Sequence, residues 1–509
     1  MTSRMALVLL VMVAGCTSDA AGAGAPAQDG GGGATVDGPS PFQEAGPVPP
    51  AMDCGEPSGK RYYVSPSGDD AAEGTQAAPW RTLQKAAAAA QPGDGVYLMA
   101  GTFQEQLVPK VSGSEGKYII YAAADVTSRP VIDGTGSKGE LISVSDLSYL
   151  KLCNLVVRNS KDYGVQIGGG DHIAVLGLTV ERSGEAAIYF EGTQDLSIEG
   201  CSTRDSVSSG IGVWYSKRAA VRHNKVVNAR NDADKGHEES ISISGTEDFE
   251  VSDNEIWIDG GPTDTGGNAA IKIKESCQRG KVFKNFAHDF PEGSIGLDAW
   301  EAGLNGTPTL NSIDIYANRI ERAGGIRVSS EELGIVENIN IFNNVLIHTN
   351  NGIMITASAK NGPKWNVNIF NNTIYEGAPD GWGGIWIVTE NFKNAVIRNN
   401  IVVSNEWNMG KITLGYKSKL AEVTADHNLV LGEKHGIDGF ADAVELSDMD
   451  GNATADPKFV DAAGGDLHVQ AGSPAIDQGA TIAGVTVDYD GVSRPQGAAY
   501  DIGAFERGN

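Results

Sequence analysis

The sequence predicts an all-β fold, a parallel β-helix solenoid of about ten or more coils with a short N-terminal capping helix. Two series of residues carry this prediction, and the first steps of both are 23 residues long. In the first series two inward apolar residues enclose one outward residue, and the first apolar residue falls at Ile142, Val165, Ile188, Ile211, Ile241, Ile271, Ile295, Ile326, Ile353 and Ile385. The second series marks a turn and holds only Gly or Asn, at Asn154, Gly177, Gly200, Asn224, Asn254, Asn285, Asn318, Asn344, Asn372 and Asn400.

The period of two inside each repeat predicts strands, because a helix would need a period of 3.6. Gly and Asn in the second series are the residues that most readily accept a positive φ, which suits a turn. Coils of this length stack with neighbouring strands about 4.8 Å apart. Inward aliphatic residues then form continuous ladders, and outward residues form columns on a long, nearly flat face. Such a face suits an extended polymer.

The first 16 residues are expected to be a signal peptide. Arg4 precedes the apolar stretch Ala6–Val13, which is too short to span a bilayer. The stretch ends in the residues VAGC at 13–16, which resemble a bacterial lipobox. This resemblance implies that Cys16 is lipidated. We therefore expect an exported protein, anchored by its lipid to the outer membrane or cell surface of a Gram-negative bacterium, with no other membrane contact.

The remaining chain divides into three parts. Residues 17–58 are rich in Gly, Ala and Pro, which is typical of a flexible tether. Residues 59–430 hold both series and form the β-helix with its N-terminal cap, whose helix is predicted over Thr82–Ala90 because Pro92 and Gly93 end it. Residues 431–509 are predicted to close the β-helix at its C-terminal end. We expect a monomer.

The charge and the cysteines bound the function. A formal net charge of −26 at pH 7 argues against a nucleic-acid partner, which needs a basic face. The acidity is compatible with calcium binding or with extracellular solubility. Four cysteines besides Cys16 allow three disulfide pairings, and their spacing matches no metal site.

Both ends of the solenoid carry segments of a familiar kind. Residues 62–70 read YYVSPSGDD, residues 79–86 read PWRTLQKA, and the tail holds GSPAID at 472–477 and DIGAF at 501–505. With the coil series, these segments resemble right-handed parallel β-helix proteins of the pectate-lyase-like superfamily over about residues 61–506. The resemblance implies a right-handed β-helix and an extended polysaccharide as partner. Many chemistries share this scaffold.

Stacking the coils concentrates charge at one place on the outward face. Lys272, Lys274, Asp298 and Arg327 fall on three consecutive coils. Gly296 lies between Lys272 and Arg327, so we expect these two cations to straddle a gap of about 10 Å that no side chain fills. A candidate site is therefore predicted where these coils meet.

The resemblance implies β-elimination of a uronic-acid-containing polymer as the reaction. That chemistry needs a cation to neutralise the uronate carboxylate and a base to remove the C5 proton. Lys274 is the expected base, Lys272 is the second choice, and Arg327 is expected to bind the substrate carboxylate.

Further ligands are expected around these cations. Glu238, Glu239 and Asp298 are the expected Ca²⁺ ligands, because Ca²⁺ prefers carboxylate oxygens. Four aromatic or imidazole side chains are candidates for substrate binding: His237, Trp214, Trp300 and His288. Each tryptophan is equally compatible with packing under a loop.

Three alternatives stay open at this stage. Lys274 beside Asp298 is also compatible with a surface ion pair that has no catalytic role. A glycoside hydrolase on the same scaffold would use paired carboxylates, such as Asp298 with Glu239 or Glu331. A non-catalytic glycan-binding surface protein would need no base at all. The lysines within the acidic cluster favour the lyase, because a hydrolase has less use for a cationic base.

Overall fold

The chain coils into three long sheets that run side by side, which confirms the predicted parallel β-helix. The computed structural model describes residues 49–136, 139–229, 239–259, 269–290, 293–300, 306–330, 333–357, 361–375, 383–404, 412–432 and 442–508. Cys16, most of the tether, His237 and Glu238 lie outside these residues, so the predictions made for them stay predictions. Among the described residues no helix is both long and apolar enough to pass through a bilayer.

The strands below are grouped by sheet. Sheet 1 holds Arg61–Val64, Gly95–Leu98, Ile119–Ala123, Leu150–Cys153, Asp171–Leu176, Gln194–Glu199, Lys217–Arg222, Glu247–Ser252, Gln278–Phe283, Thr309–Tyr316, Ile335–Phe342, Lys364–Phe370, Phe392–Lys393, Ala395–Arg398 and Val423–Asp426. Sheet 2 holds Thr102–Phe103, Val131–Asp133, Val156–Arg158, Thr179–Glu181, Ser202–Arg204, Lys225–Val227, Glu255–Trp257, Phe286–His288, Arg319–Glu321, Val345–Ile347, Thr373–Tyr375, Ile401–Val403, Leu429–Leu431 and Ala453–Thr454. Sheet 3 holds Ile142–Ser145, Val165–Gly168, Ile188–Glu191, Ile211–Trp214, Glu239–Ser244, Ala269–Lys274, Ile295–Ala299, Ile326–Ser330, Asn351–Ile355, Gly383–Ile387, Ile412–Leu414 and Val444–Glu445.

Four shorter elements complete the described structure. The N-terminal helix spans Leu83–Ala89, and the Thr82 hydroxyl caps it by accepting a hydrogen bond from the Lys85 amide. Its buried residues, Leu83 among them, join the core at the first coil. Two 3₁₀ turns span Lys417–Glu422 and Leu446–Asp448, and a two-stranded antiparallel ribbon pairs Phe459–Asp461 with Asp466–Val469.

The first predicted series is the inward ladder of sheet 3. Each member lies in register with the next, from Ile142 beside Val165 through to Ile385 beside Ile412. All of them are buried in one continuous apolar core. A one-residue slip would turn this ladder to solvent, so apolar burial fixes the register of the outward face as well.

The second series forms a ladder of asparagine side chains. From Asn224 to Asn428, each asparagine donates from its backbone N–H and its Nδ2 to Oδ1 of the next, at 2.8–3.1 Å. The positive φ inferred for this series holds for Asn154 and the two glycines. From Asn224 onward the inference is wrong: the preceding residue adopts the positive φ, as His223 does. Asparagine is needed there for its hydrogen bonds.

The C-terminal residues fold back along the outer face of sheet 2. Leu346 points into the core, whereas its neighbours Val345 and Ile347 face outward and pack against Leu467 and Phe505. A second apolar cluster joins the tail to the same sheet, with members Ile401, Leu429, Val469, Ala475 and Ile502. The tail thus covers the outer face of sheet 2 over several coils and leaves the outer face of sheet 3 to other uses.

Candidate functional site

The strand register brings the charged residues of sheet 3 together. Lys272 lies beside Gly296, which lies beside Arg327 on the next strand. Lys274 lies beside Asp298 in the same way. These side chains leave the strands on the face opposite the buried isoleucines, so one stretch of the outer face carries all four charges.

The lysines choose different partners from those that strand register alone suggests. Lys274 Nζ donates to both carboxylate oxygens of Glu239, at 3.0 and 3.2 Å, instead of pairing with its neighbour Asp298. It also lies 5.1 Å from the centroid of the Trp214 ring, a cation–π contact. Lys272 Nζ forms the ion pair with Asp298, at 3.3 Å. The surface pair of Lys274 with Asp298 considered from the sequence is therefore wrong.

The gap expected between Lys272 and Arg327 is crossed by a side chain. A Cβ on Gly296 would lie 3.1 Å from Lys272 Cδ, so the lysine stem runs over the glycine on its way to Asp298. Gly296 provides the space in which Lys272 reaches its partner. The expectation that nothing fills this gap is therefore wrong.

The three cations differ in their access to solvent. The Lys274 side chain is only 4% exposed, and that of Lys272 is 24% exposed. Arg327 is exposed and makes no ion pair with the residues that the structure describes. An exposed guanidinium is well suited to bind a carboxylate from outside.

The other predicted residues differ in their position relative to the charged cluster of Lys272, Lys274, Asp298 and Arg327. Trp214 is part of it through Lys274, and the exposed Trp300 follows the strand that carries Asp298. His288 lies on sheet 2, stacked between the rings of Trp257 and Phe286. It faces another side of the solenoid because the asparagine turn precedes it, so its expected role at this site is wrong.

The calcium ligands predicted from the sequence are only partly described. Glu239 accepts hydrogen bonds from Lys274, and Asp298 pairs with Lys272. The described residues contain no group of three His, Cys, Asp or Glu side chains placed to hold a metal ion. Glu238 lies outside the described residues, so the calcium site stays a prediction, and no chemical step below passes through calcium.

A buried lysine that sequence reasoning missed lies behind the cluster. Lys364 is fully buried, and its Nζ donates to Gly362 O at 2.8 Å, Asn361 Oδ1 at 3.0 Å and Ser330 Oγ at 3.1 Å. Burial lowers the pKa of this amine to about 8, although the charge of Asp298 acts in the opposite direction. In turn, Asp298 Oδ1 is buried without a hydrogen-bond partner among the described residues.

Register could have revealed Lys364. On sheet 1, Lys364 pairs with Val336 on one side and with Phe392 on the other, and Val336 pairs in turn with Leu310 on the preceding strand of the sheet. All three of these neighbours are buried. A lysine in an otherwise apolar inward column is a signal of a buried charge with dedicated partners. Lys364 was not predicted, because the predicted site was built from outward positions of sheet 3 alone.

Residues 62–240 match the family model described as the Pel9A-like right-handed β-helix region. This match adds the handedness to the stacked parallel sheets described above. The chain is a right-handed parallel β-helix. The fold and the resemblance inferred from the sequence are confirmed.

Relatives of this β-helix include an uncharacterized protein, YwoF, of Bacillus subtilis (strain 168). The two are 25% identical over 396 residues, which are 72% of this chain and 73% of the relative. Among solved structures, the complex of XylC with xylose matches with a TM-score of 0.54 at 12% identity, over 88% of this chain and 99% of that one. The PL6 family alginate lyase AlyGC matches with a TM-score of 0.52 at 14% identity, over 81% of this chain and 55% of that one. At these identities the structures share a fold with this chain.

The lowered pKa of Lys364 makes the stability of this β-helix depend on pH. Between about 8 and the ordinary lysine value of 10.5, the unfolded chain binds more protons at this site than the folded chain. Stability therefore rises with pH across that window. We expect wild type to gain about 3 kcal/mol in unfolding free energy over Lys364→Met between pH 8 and 10.5.

Urea denaturation at a series of pH values measures this difference. Lys281→Met, at an exposed site on sheet 1, is the matched control. Parallel pH profiles for Lys364→Met and wild type would show that Lys364 titrates alike in the folded and unfolded chains.

Proposed function

We propose that this protein is a polysaccharide lyase that cleaves a uronic-acid-containing polymer by β-elimination on the outer face of sheet 3. The observation that carries the proposal is the pair of cations on one column, the exposed Arg327 and the partly exposed Lys272, whose strands lie on either side of the strand of Gly296. Two cations on one column suit an acidic polymer laid across the coils.

Arg327 and Lys272 are assigned to binding the uronate carboxylate. Neutralising that carboxylate makes the C5 proton more acidic, because the carbanion formed at C5 spreads its charge into the carboxylate. The guanidinium of Arg327 can present two parallel N–H donors. Lys272 would exchange part of its contact with Asp298 for the substrate.

Lys274 is assigned to removing the C5 proton. A lysine is a base only when its amine is neutral, so Lys274 must first release a proton to water. Glu239, 3.0 Å away, holds the Lys274 side chain in place. The C5 proton then passes to Lys274 Nζ, the C4–O bond breaks, and a C4=C5 double bond forms. The leaving oxygen takes a proton from water.

The direct test is an absorbance assay for unsaturated uronate. The purified protein is incubated with pectate, alginate and glycosaminoglycans, each with added calcium and with EDTA. We expect ultraviolet absorbance to grow on at least one polymer. Its rate should fall about a hundredfold with Lys274→Met, because a positioned base contributes at least that factor. It should also fall with Arg327→Met, which removes a cation that binds the substrate carboxylate. Lys281→Met is the matched control, since that lysine lies on sheet 1, away from the face.

Two other results would redirect the assignment. New reducing ends without ultraviolet absorbance would identify a hydrolase, with the carboxylates Asp298 and Glu239 as its candidates. Binding of polymer without any cleavage would identify a glycan-binding protein. The lysine held by each of these two carboxylates favours the lyase, because a hydrolase needs one of its carboxyl groups protonated.

A further inference from the structure

A pocket of about 190 Å³ lies on sheet 3 beside the charged cluster, on the coils that precede it. Tyr163, Tyr189 and Trp214 form its aromatic walls, and Glu185 supplies a carboxylate. The other lining residues have small side chains or none. Apart from Trp214, no residue of this pocket was predicted to bind substrate, and the proposed chemistry assigns the pocket no role.

The aromatic walls are built by stacking up the coils. The rings of Tyr163 and Tyr189 are stacked at 4.9 Å, and Trp214 stands edge-on to Tyr189 at 5.6 Å. Gly212 makes this possible, because a Cβ there would lie 2.9 Å from Tyr189 Cδ2. Two ring planes at a large angle give a corner in which a sugar ring can lay its C–H face on one aromatic surface.

The charge of the pocket is opposite to that of the cluster. Glu185 lines it, Glu191 accepts a hydrogen bond from the Tyr189 hydroxyl at 3.3 Å, and the lining residues that the structure describes include no lysine or arginine. A uronate carboxylate would meet like charge here. A neutral sugar would instead donate its hydroxyl hydrogens to the glutamate oxygens.

The pocket and the cluster share a wall. Trp214 lines the pocket, and its ring also contacts Lys274 Nζ at 5.1 Å. Ser209 lines the pocket two residues before Ile211, and Glu239 occupies the same place before Ile241 on the next coil. One chain laid across the coils would therefore occupy both.

We infer that this pocket binds a neutral sugar unit, and that the polymer bound by the protein carries neutral sugars beside its uronic acids. The position of the uronate rests on the proposed function. The neutral-sugar site stands on the pocket itself.

Saturation-transfer NMR with short sugars tests the inference without any turnover. The probes are xylotriose and mannotriose, which are neutral, and trigalacturonate, which is acidic. We expect at least one neutral probe to receive saturation from the wild-type protein and to bind about tenfold more weakly to Tyr189→Ala, because losing one aromatic surface is worth about that factor. If Tyr189→Ala fails to fold, Tyr163→Ala, which removes a half-buried ring of the same pocket, is expected to weaken binding of the neutral probe in the same way.

The control is Tyr316→Ala. Tyr316 is stacked between Phe283 and Phe342 on sheet 1, so it matches the ring stacking but lies outside the pocket, and binding should be unchanged. Glu185→Lys is expected to favour trigalacturonate over the neutral probes. Failure of both neutral probes to bind, or binding equal in wild type and both tyrosine variants, would overturn the inference. Neither neutral probe contains a uronate, so the inference can hold when the lyase assay fails, and the reverse.

Discussion

Replacing Arg494 with methionine is expected to lower the free energy of unfolding by about 3–5 kcal/mol, the cost of leaving one partner of a buried ion pair alone. Arg494 and Glu506 lie 2.7 Å apart, and both side chains are completely buried. Arg494 also donates to Asn343 Oδ1 at 3.2 Å and to Gly503 O at 2.8 Å. The contact with Asn343 joins the tail to a coil 151 residues earlier. Loss of Arg494 would leave the buried Glu506 carboxylate without its cation and weaken the packing of the tail on sheet 2.

Urea denaturation measures the change. The matched control is Arg279→Met, since Arg279 makes comparably good ion pairs with Glu247 and Asp248 but its side chain is 49% exposed. Exposed pairs contribute at most about 1 kcal/mol, because water and salt screen them. Equal effects for the two variants would show that the tail contributes little to the stability of the coils.

The repeating part of this fold could be predicted from the sequence because burial acts on every coil in the same way. The isoleucine series fixed the register of sheet 3, and that register placed Lys272, Gly296 and Arg327 on one column. The position of His288 was also within reach, since it follows Asn285, and the residues after each turn belong to sheet 2.

Side-chain partners were less predictable than strand positions. Lys274 reaches back to Glu239 because a lysine stem is long and Trp214 offers its ring on the way. The strand register fixes the backbone position of Lys274, but its long side chain can reach more than one carboxylate. The docking of Arg494 against Asn343 depends on a contact 151 residues apart, for which no local pattern exists. The clustering of these charged residues was therefore predicted from the sequence, while their ion pairs were not.

A second large effect is expected at the centre of the asparagine ladder. Asn318 Oδ1 accepts from the Asn285 backbone N–H at 3.1 Å and from Asn285 Nδ2 at 3.0 Å. Its own Nδ2 donates to Val282 O and to Asn344 Oδ1, both at 2.9 Å. Asn318→Ala removes four buried hydrogen bonds and leaves the Asn285 N–H without a partner. At about 1 kcal/mol for each bond, we expect a loss of about 4 kcal/mol.

Asn368→Ala is the control that separates burial from simple loss of an asparagine. Asn368 is half-buried on sheet 1 and donates from Nδ2 to Asn340 Oδ1 at 2.9 Å. Water can replace this hydrogen bond. Its replacement should cost about 1 kcal/mol or less in urea denaturation. A loss for Asn318→Ala no larger than this would show that the apolar ladders alone hold the coils in register. A several-fold larger loss would explain why asparagine recurs at this turn even though the preceding residue, Ala317, carries the positive φ.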